Sequence, residues 1–157
     1  MNSGTFNDCS NCNECPDCCS NFLNIDNPIL SLEEIEEIKR MYHVDNFYEM
    51  KENGTYCLKT NSNGHCVFFM NKGCMIYAKR PADCKLYPYD IIQDNGSYYL
   101  ILYKLRCIDE NVFSSDYEVE RILPVVESVL PWIENFTNES NYERMSDLPY
   151  KVLKKVK

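Results

Sequence analysis

The chain has 157 residues, of which 25% are charged and 45% hydrophobic; this suits one globular domain with a modest core and excludes a disordered chain. Its net charge of −8 argues against a non-specific nucleic-acid binder, which needs a basic surface to displace counterions. No run approaches the ~20 apolar residues of a membrane span, and the first residues carry neither a basic region nor an apolar one, so a cytoplasmic protein is expected.

Residues 1–27 are rich in Asn, Ser, Asp and Cys and show almost no apolar periodicity. Alone, such a stretch cannot bury enough surface to order itself, and a bound metal would supply the missing free energy. Ser31-Leu32-Glu33-Glu34 then reads as a helix start, with Ser31 as N-cap and Glu34 closing a capping box. Leu32, Ile35, Ile38, Met41 and Tyr42 recur at three- and four-residue steps, which predicts an amphipathic helix over 32–43. Acidic residues crowd its first turns, while Lys39, Arg40 and His43 lie toward the negative end of its dipole.

The middle of the chain is β-like. Residues 66–70 and 74–78 are short apolar runs around Asn71-Lys72-Gly73, which predicts a hairpin. Residues 86–93 and 97–105 flank Asp94-Asn95-Gly96, where Asn-Gly marks a two-residue turn and a second hairpin. Its tyrosines (Tyr87, Tyr89, Tyr98, Tyr99 and Tyr103) are read as strand packing.

Over 116–135, Val119, Ile122, Leu123, Val126, Val129, Leu130 and Ile133 recur at helical spacing. Pro124 and Pro131 interrupt that pattern, which predicts a kink or two shorter helices. Residues 138–157 are expected to hold one short helix near Lys151, and Lys151, Lys154, Lys155 and Lys157 to form a solvated basic tail. The expected fold class is therefore α+β: one small domain over 1–157 with two β-hairpins, an N-terminal amphipathic helix and a C-terminal helical segment. Its loops would be organised around cysteine-bound metal.

The ten cysteines carry the chemistry. Cys12-x-x-Cys15-x-x-Cys18-Cys19 is followed by Cys66, Cys74, Cys84 and Cys107. An even count permits disulfides in a secreted chain, but a reducing cytosol leaves thiols to metal. Thiolates at every third residue let a short loop wrap one centre, closed by a remote fourth cysteine, as in iron–sulfur loops. Zinc ribbons instead use paired Cys-x-x-Cys knuckles. Cys19 beside Cys18 suits a second site, since adjacent side chains diverge. Cys12, Cys15, Cys18, Cys19, Cys66, Cys74, Cys84 and Cys107 are therefore the candidate ligands. Cys9 is a spare ligand or core residue, and Cys57 reads as a small buried hydrophobe.

Cys12-Asn-Glu-Cys15-Pro-Asp-Cys18-Cys19, Gly64-His65-Cys66-Val67-Phe68-Phe69, Gly73-Cys74-Met75-Ile76-Tyr77 and Arg80-Pro81-Ala82-Asp83-Cys84-Lys85-Leu86-Tyr87-Pro88 resemble the CxxCxxCC family of zinc- or iron-chelating, YkgJ-like cysteine-cluster proteins. The resemblance covers about residues 12–107, with 116–157 as a helical extension. Two departures stand out. The family usually has Arg where this chain has Lys85, which keeps the charge and loses bidentate hydrogen bonding. It often has Gly after the second cysteine, where this chain has Pro16.

The resemblance implies metal binding and little else; the three-residue spacing and the ten thiols favour one or two 4Fe–4S iron–sulfur clusters, with Zn²⁺ as the alternative. Three roles are open. One is a redox protein, maturation factor or partner subunit acting with another protein, away from nucleic acid and membrane. Another is a structural zinc module for protein–protein contact. The last is a cluster-dependent methyl-transfer enzyme, since the much longer flagellin lysine N-methylases carry a similar cluster; this chain shows no glycine-rich nucleotide loop of the usual kind. His65, Arg80, Tyr87 and Arg106 are candidate helpers beside the ligands, His65 first of all as a donor to sulfur.

Overall fold

A computed structural model describes residues 27–52, 54–71, 73–104, 108–140 and 148–157, without the side chains of 135–140. The architecture is mixed α+β, with four helices and three small antiparallel sheets among the described residues. Backbone proximity divides the chain into two units, 1–85 and 86–157.

In the first unit the helix begins where the sequence demands. Ser31 caps helix α1 (Leu32–Tyr42): its hydroxyl accepts from the Glu34 N–H, and the Glu34 carboxylate accepts from the Ser31 N–H, both at 2.9 Å. His43 closes the helix in the left-handed region at φ 53°, donating its N–H to the Lys39 carbonyl at 2.9 Å. Ile35 and Ile38 face a core with Leu30, Phe47, Leu58, Phe68 and Ile76. Each such aliphatic burial contributes roughly 1.5–3 kcal/mol.

Beside the helix lies a three-stranded sheet of β1 (Ile29–Leu30), β2 (Tyr48–Met50) and β3 (Tyr56–Leu58), ordered β1-β3-β2. It went unpredicted because two- and three-residue strands carry no readable alternation, and the Ile29–Cys57 pairing is remote in sequence. The first predicted hairpin exists in reduced form, as β4 (Phe69–Met70) and β5 (Gly73–Cys74). Asn71 occupies the left-handed region at φ 51° in its turn. The strand expected to run on to residue 78 gives way to a 3-10 turn at Tyr77–Lys79, and then to helix α2 (Ala82–Leu86).

In the second unit the Asn-Gly turn joins β6 (Tyr89–Asp94) to β7 (Ser97–Tyr103). Asn95 and Gly96 take φ 49° and 79°, the paired positive values a type I′ turn needs. After a short helix α3 (Glu110–Phe113) comes α4 (Asp116–Ser140), one helical run through Pro124 and Pro131. Of the kink or two shorter helices expected, the two shorter helices do not form. Ile122, Val126, Val129 and Ile133 form one buried stripe, and that packing outweighs the hydrogen bonds the prolines cannot donate.

The C-terminal helix expected near Lys151 is also absent. Residues Tyr150–Lys155 form β8 instead, antiparallel to β7 with a register shift between Leu100 and Ile101. Pairing satisfies an edge of β7 that would otherwise expose its backbone groups. The basic residues thus decorate an edge strand, a common defence against edge-to-edge association. Lys151 also lies 3.6 Å from Glu110, and Lys157 pairs with Glu134. Among the described residues no helix is long and apolar enough to cross a membrane.

Tyr89 is buried and donates its hydroxyl to the Phe113 carbonyl at 2.5 Å. Burial, aided by the nearby Glu118 charge, pushes its phenol far above the ordinary tyrosine range. The unfolded phenol therefore ionises first, so stability should hold through neutral pH and fall as pH rises above about 10. Tyr89→Phe should remove that alkaline dependence while costing about 1 kcal/mol at neutral pH. Chemical denaturation at several pH values checks both.

Candidate metal centre

Three of the eight candidate ligands, Cys66, Cys74 and Cys84, are described; Cys12, Cys15, Cys18, Cys19 and Cys107 lie outside the described residues, as do Cys9 and Arg106. All three are half-buried, and all pack against the apolar core of the first unit.

Cys66 follows a tight turn. The Gly64 N–H donates to the Asn61 carbonyl at 2.9 Å with Gly64 at φ 82°, and the Asn61 N–H donates to the His65 carbonyl at 2.7 Å. That turn brings Cys66 opposite Thr60 in an isolated antiparallel bridge. The Cys66 carbonyl then accepts from the Phe69 N–H at 2.9 Å, and Phe69 pairs with Cys74 across β4 and β5. Backbone bonding thus links the two cysteines through Phe69, as expected of a folded hairpin. The His65 ring lies 5.0 Å from that of Phe69.

Cys84 sits on α2, a helix of one turn and a little more. Such a helix has little stability of its own and is tied to residues 29–34 by two carboxylates, its own Asp83 and Glu34 of α1. Asp83 Oδ2 accepts from the Ile29 N–H at 2.8 Å across a sequence separation of 54. Glu34 uses one oxygen for the capping box and the other, Oε1, for the Ala82 N–H at 2.7 Å, a separation of 48. Both are charge-assisted bonds to backbone, stronger than neutral ones. A third link is ionic: Lys79 lies 3.0 Å from Glu37 and holds that carboxyl below its usual range, chiefly by hydrogen bonding. This pair is solvent-exposed and weak. Arg80 stacks its guanidinium 4.3 Å from the Tyr77 ring centre.

Sequence reasoning found the cysteines and missed the carboxylates. Pro81 before Ala82, with Asp83 in the first turn, was a signal for the start of α2. Nothing local could show that Glu34 would reach Ala82. Cys57 is buried in β3 between Ile29 and Glu49, where a small core residue belongs.

The four described cysteines form no disulfide with one another. Among the described residues no three His, Cys, Asp or Glu side chains converge to hold a metal ion. In kind, however, the donors fit a thiophilic metal, since half-buried thiols on one apolar core are the ligands that zinc and iron–sulfur centres use. A family model for the CxxCxxCC "putative zinc- or iron-chelating domain" matches residues 11–123. The chain belongs to the CxxCxxCC family. The match takes in all eight candidate ligands of this CxxCxxCC domain, and it supports a cysteine-ligated metal binder. No curated protein and no solved structure matches the chain.

Cys57→Ala should cost about 1 kcal/mol of stability through lost packing and leave the metal content of the purified domain unchanged. Denaturation together with metal analysis of the same sample checks this. Metal loss would make Cys57 a ligand.

Proposed function

We propose that this CxxCxxCC domain binds an iron–sulfur cluster through its cysteines and serves a redox, maturation or partner-subunit role in the cytoplasm alongside another protein. The observation that carries the reading is the family match spanning all eight candidate ligands. The three-residue spacing of Cys12, Cys15 and Cys18 favours an iron–sulfur loop over paired zinc knuckles.

Cys12, Cys15 and Cys18 would hold one centre with a remote fourth thiolate. Cys19, Cys66, Cys74, Cys84 and Cys107 would supply that thiolate and any second centre. When bound, an iron–sulfur cluster supplies one-electron chemistry at a potential set by hydrogen bonds to sulfur and by burial. The chain's own part includes presenting Cys66, Cys74 and Cys84 from elements packed against the apolar core of the first unit. The net charge of −8 suits a protein partner better than a nucleic acid.

A structural zinc site is the second reading, favoured by the same family description, which names zinc beside iron. In that case the cysteines would frame an interaction module.

Iron, acid-labile sulfide and zinc counted per chain after anaerobic purification, with a visible spectrum, separate the two. Iron and sulfide at about four or eight per chain are expected. One or two zinc ions without sulfide would replace the cluster by the structural site, and the absence of all three would overturn metal binding itself. Cys15→Ser should lose the metal of one centre, and full retention in that variant would remove Cys15 from the ligand set.

A further inference from the structure

The sheet of the second unit runs β6-β7-β8, so β8 is an edge strand, and among the described residues nothing pairs with its outer side. Alternate peptide groups of an edge strand point away from the sheet and stay open to another chain. Residues 150–157 hold four lysines and no acidic residue, in a chain of net charge −8. Lys151 lies 3.6 Å from Glu110, and Lys157 pairs with Glu134. Lys154 and Lys155 have no acidic partner among the described residues.

The register shift in β8 arranges these side chains. Residues three apart in a regular strand face opposite ways. Here Lys151 pairs with Leu102 and Lys154 with Leu100, two residues on one face of β7, so the two lysines share a face. Tyr150 and Val152, opposite Tyr103 and Ile101, share the other face and are 39% and 51% exposed. An edge that served only to repel other strands would be short and would show no such apolar groups. Its lysines repel a second basic copy of β8, and the same charge attracts an acidic strand.

We propose that β8 is a docking edge for a partner protein, which adds to the β6-β7-β8 sheet an extended segment of alternating acidic and apolar residues. Acidic side chains against Lys151 and Lys154, with apolar ones against Tyr150 and Val152, match the two faces of one extended strand. Main-chain hydrogen bonds to the open groups of β8 supply affinity, and the lysines select the sequence. The docking edge includes no cysteine, so its test is independent of the metal reading.

The test uses a fluorescent peptide of about eight residues alternating Glu and Val, long enough to lie along 150–157. It is titrated with the full chain, purified with its metal, and followed by anisotropy and by amide hydrogen exchange at residues 150–155. A peptide alternating Lys and Val is the control. The Glu–Val peptide is expected to bind, less tightly as salt rises, and the Lys–Val peptide to stay free. Exchange at 150–155 should slow on binding, while exchange in α1 stays as it was. Lys154→Glu should weaken binding by about tenfold and Lys154→Gln by about threefold.

No binding of the Glu–Val peptide, or equal binding of the two peptides, would overturn the proposal. Binding without slower exchange at 150–155 would overturn strand addition, because ion pairs alone leave the backbone open. Full binding by Lys154→Glu would remove the lysines from recognition; if that variant does not fold, Lys154→Gln decides the point. A free chain that dimerises, with 150–155 protected and the peptide excluded, would give the edge to a second copy and overturn the acidic partner.

Discussion

Two carboxylates hold together the part of the first unit on which the proposed chemistry depends. Glu34 joins the start of α1 to the start of α2, and Asp83 joins α2 to β1. Each spans about fifty residues of sequence in a single bond, so each is formed only once the chain has closed a large loop. Their worth lies less in free energy than in placement. Hydrophobic burial by Ile35, Ile38, Leu58 and Phe68 drives the collapse, but burial is non-directional, and a thiolate centre tolerates little error in where its ligands sit. Directional bonds to backbone N–H groups supply what burial cannot.

The same unit shows how metal binding and folding divide their work. Cys66, Cys74 and Cys84 lie on short elements stabilised by core packing and backbone bonds. Residues 1–27, by contrast, have almost no apolar periodicity with which to drive folding. A centre shared between the two sets would join that core to the polar segment, and would supply the segment with ligand-binding free energy. A four-thiolate centre carries a net charge of about −2 by ligand count, which would deepen the acidity of the chain. Lys79, Arg80 and Lys85 lie beside Cys84 in sequence and would offset part of that charge.

What could be read in advance follows physical range. The capping box, the amphipathic stripe of α1 and the Asn95-Gly96 turn are local signals, and each produced the expected element. The family could be read for the same reason, since cysteine spacing is local. The β1-β3-β2 sheet, the Glu34–Ala82 bond and the Asp83–Ile29 bond pair residues far apart in sequence, and no local pattern announces them. In two places tertiary packing overrode a local rule. The buried stripe of α4 carries the helix through Pro124 and Pro131, and the unpaired edge of β7 turns residues 150–155 into a strand.

The central claim is that sulfur, from cysteine and from the inorganic sulfide of any cluster, is the donor to metal in this domain. X-ray absorption at the iron and zinc edges of the anaerobically purified chain tests it most directly. The account predicts nearest neighbours that are all sulfur, at about 2.3 Å from the metal. Nearest neighbours dominated by nitrogen or oxygen would contradict it, because the eight cysteines would then not be the ligands.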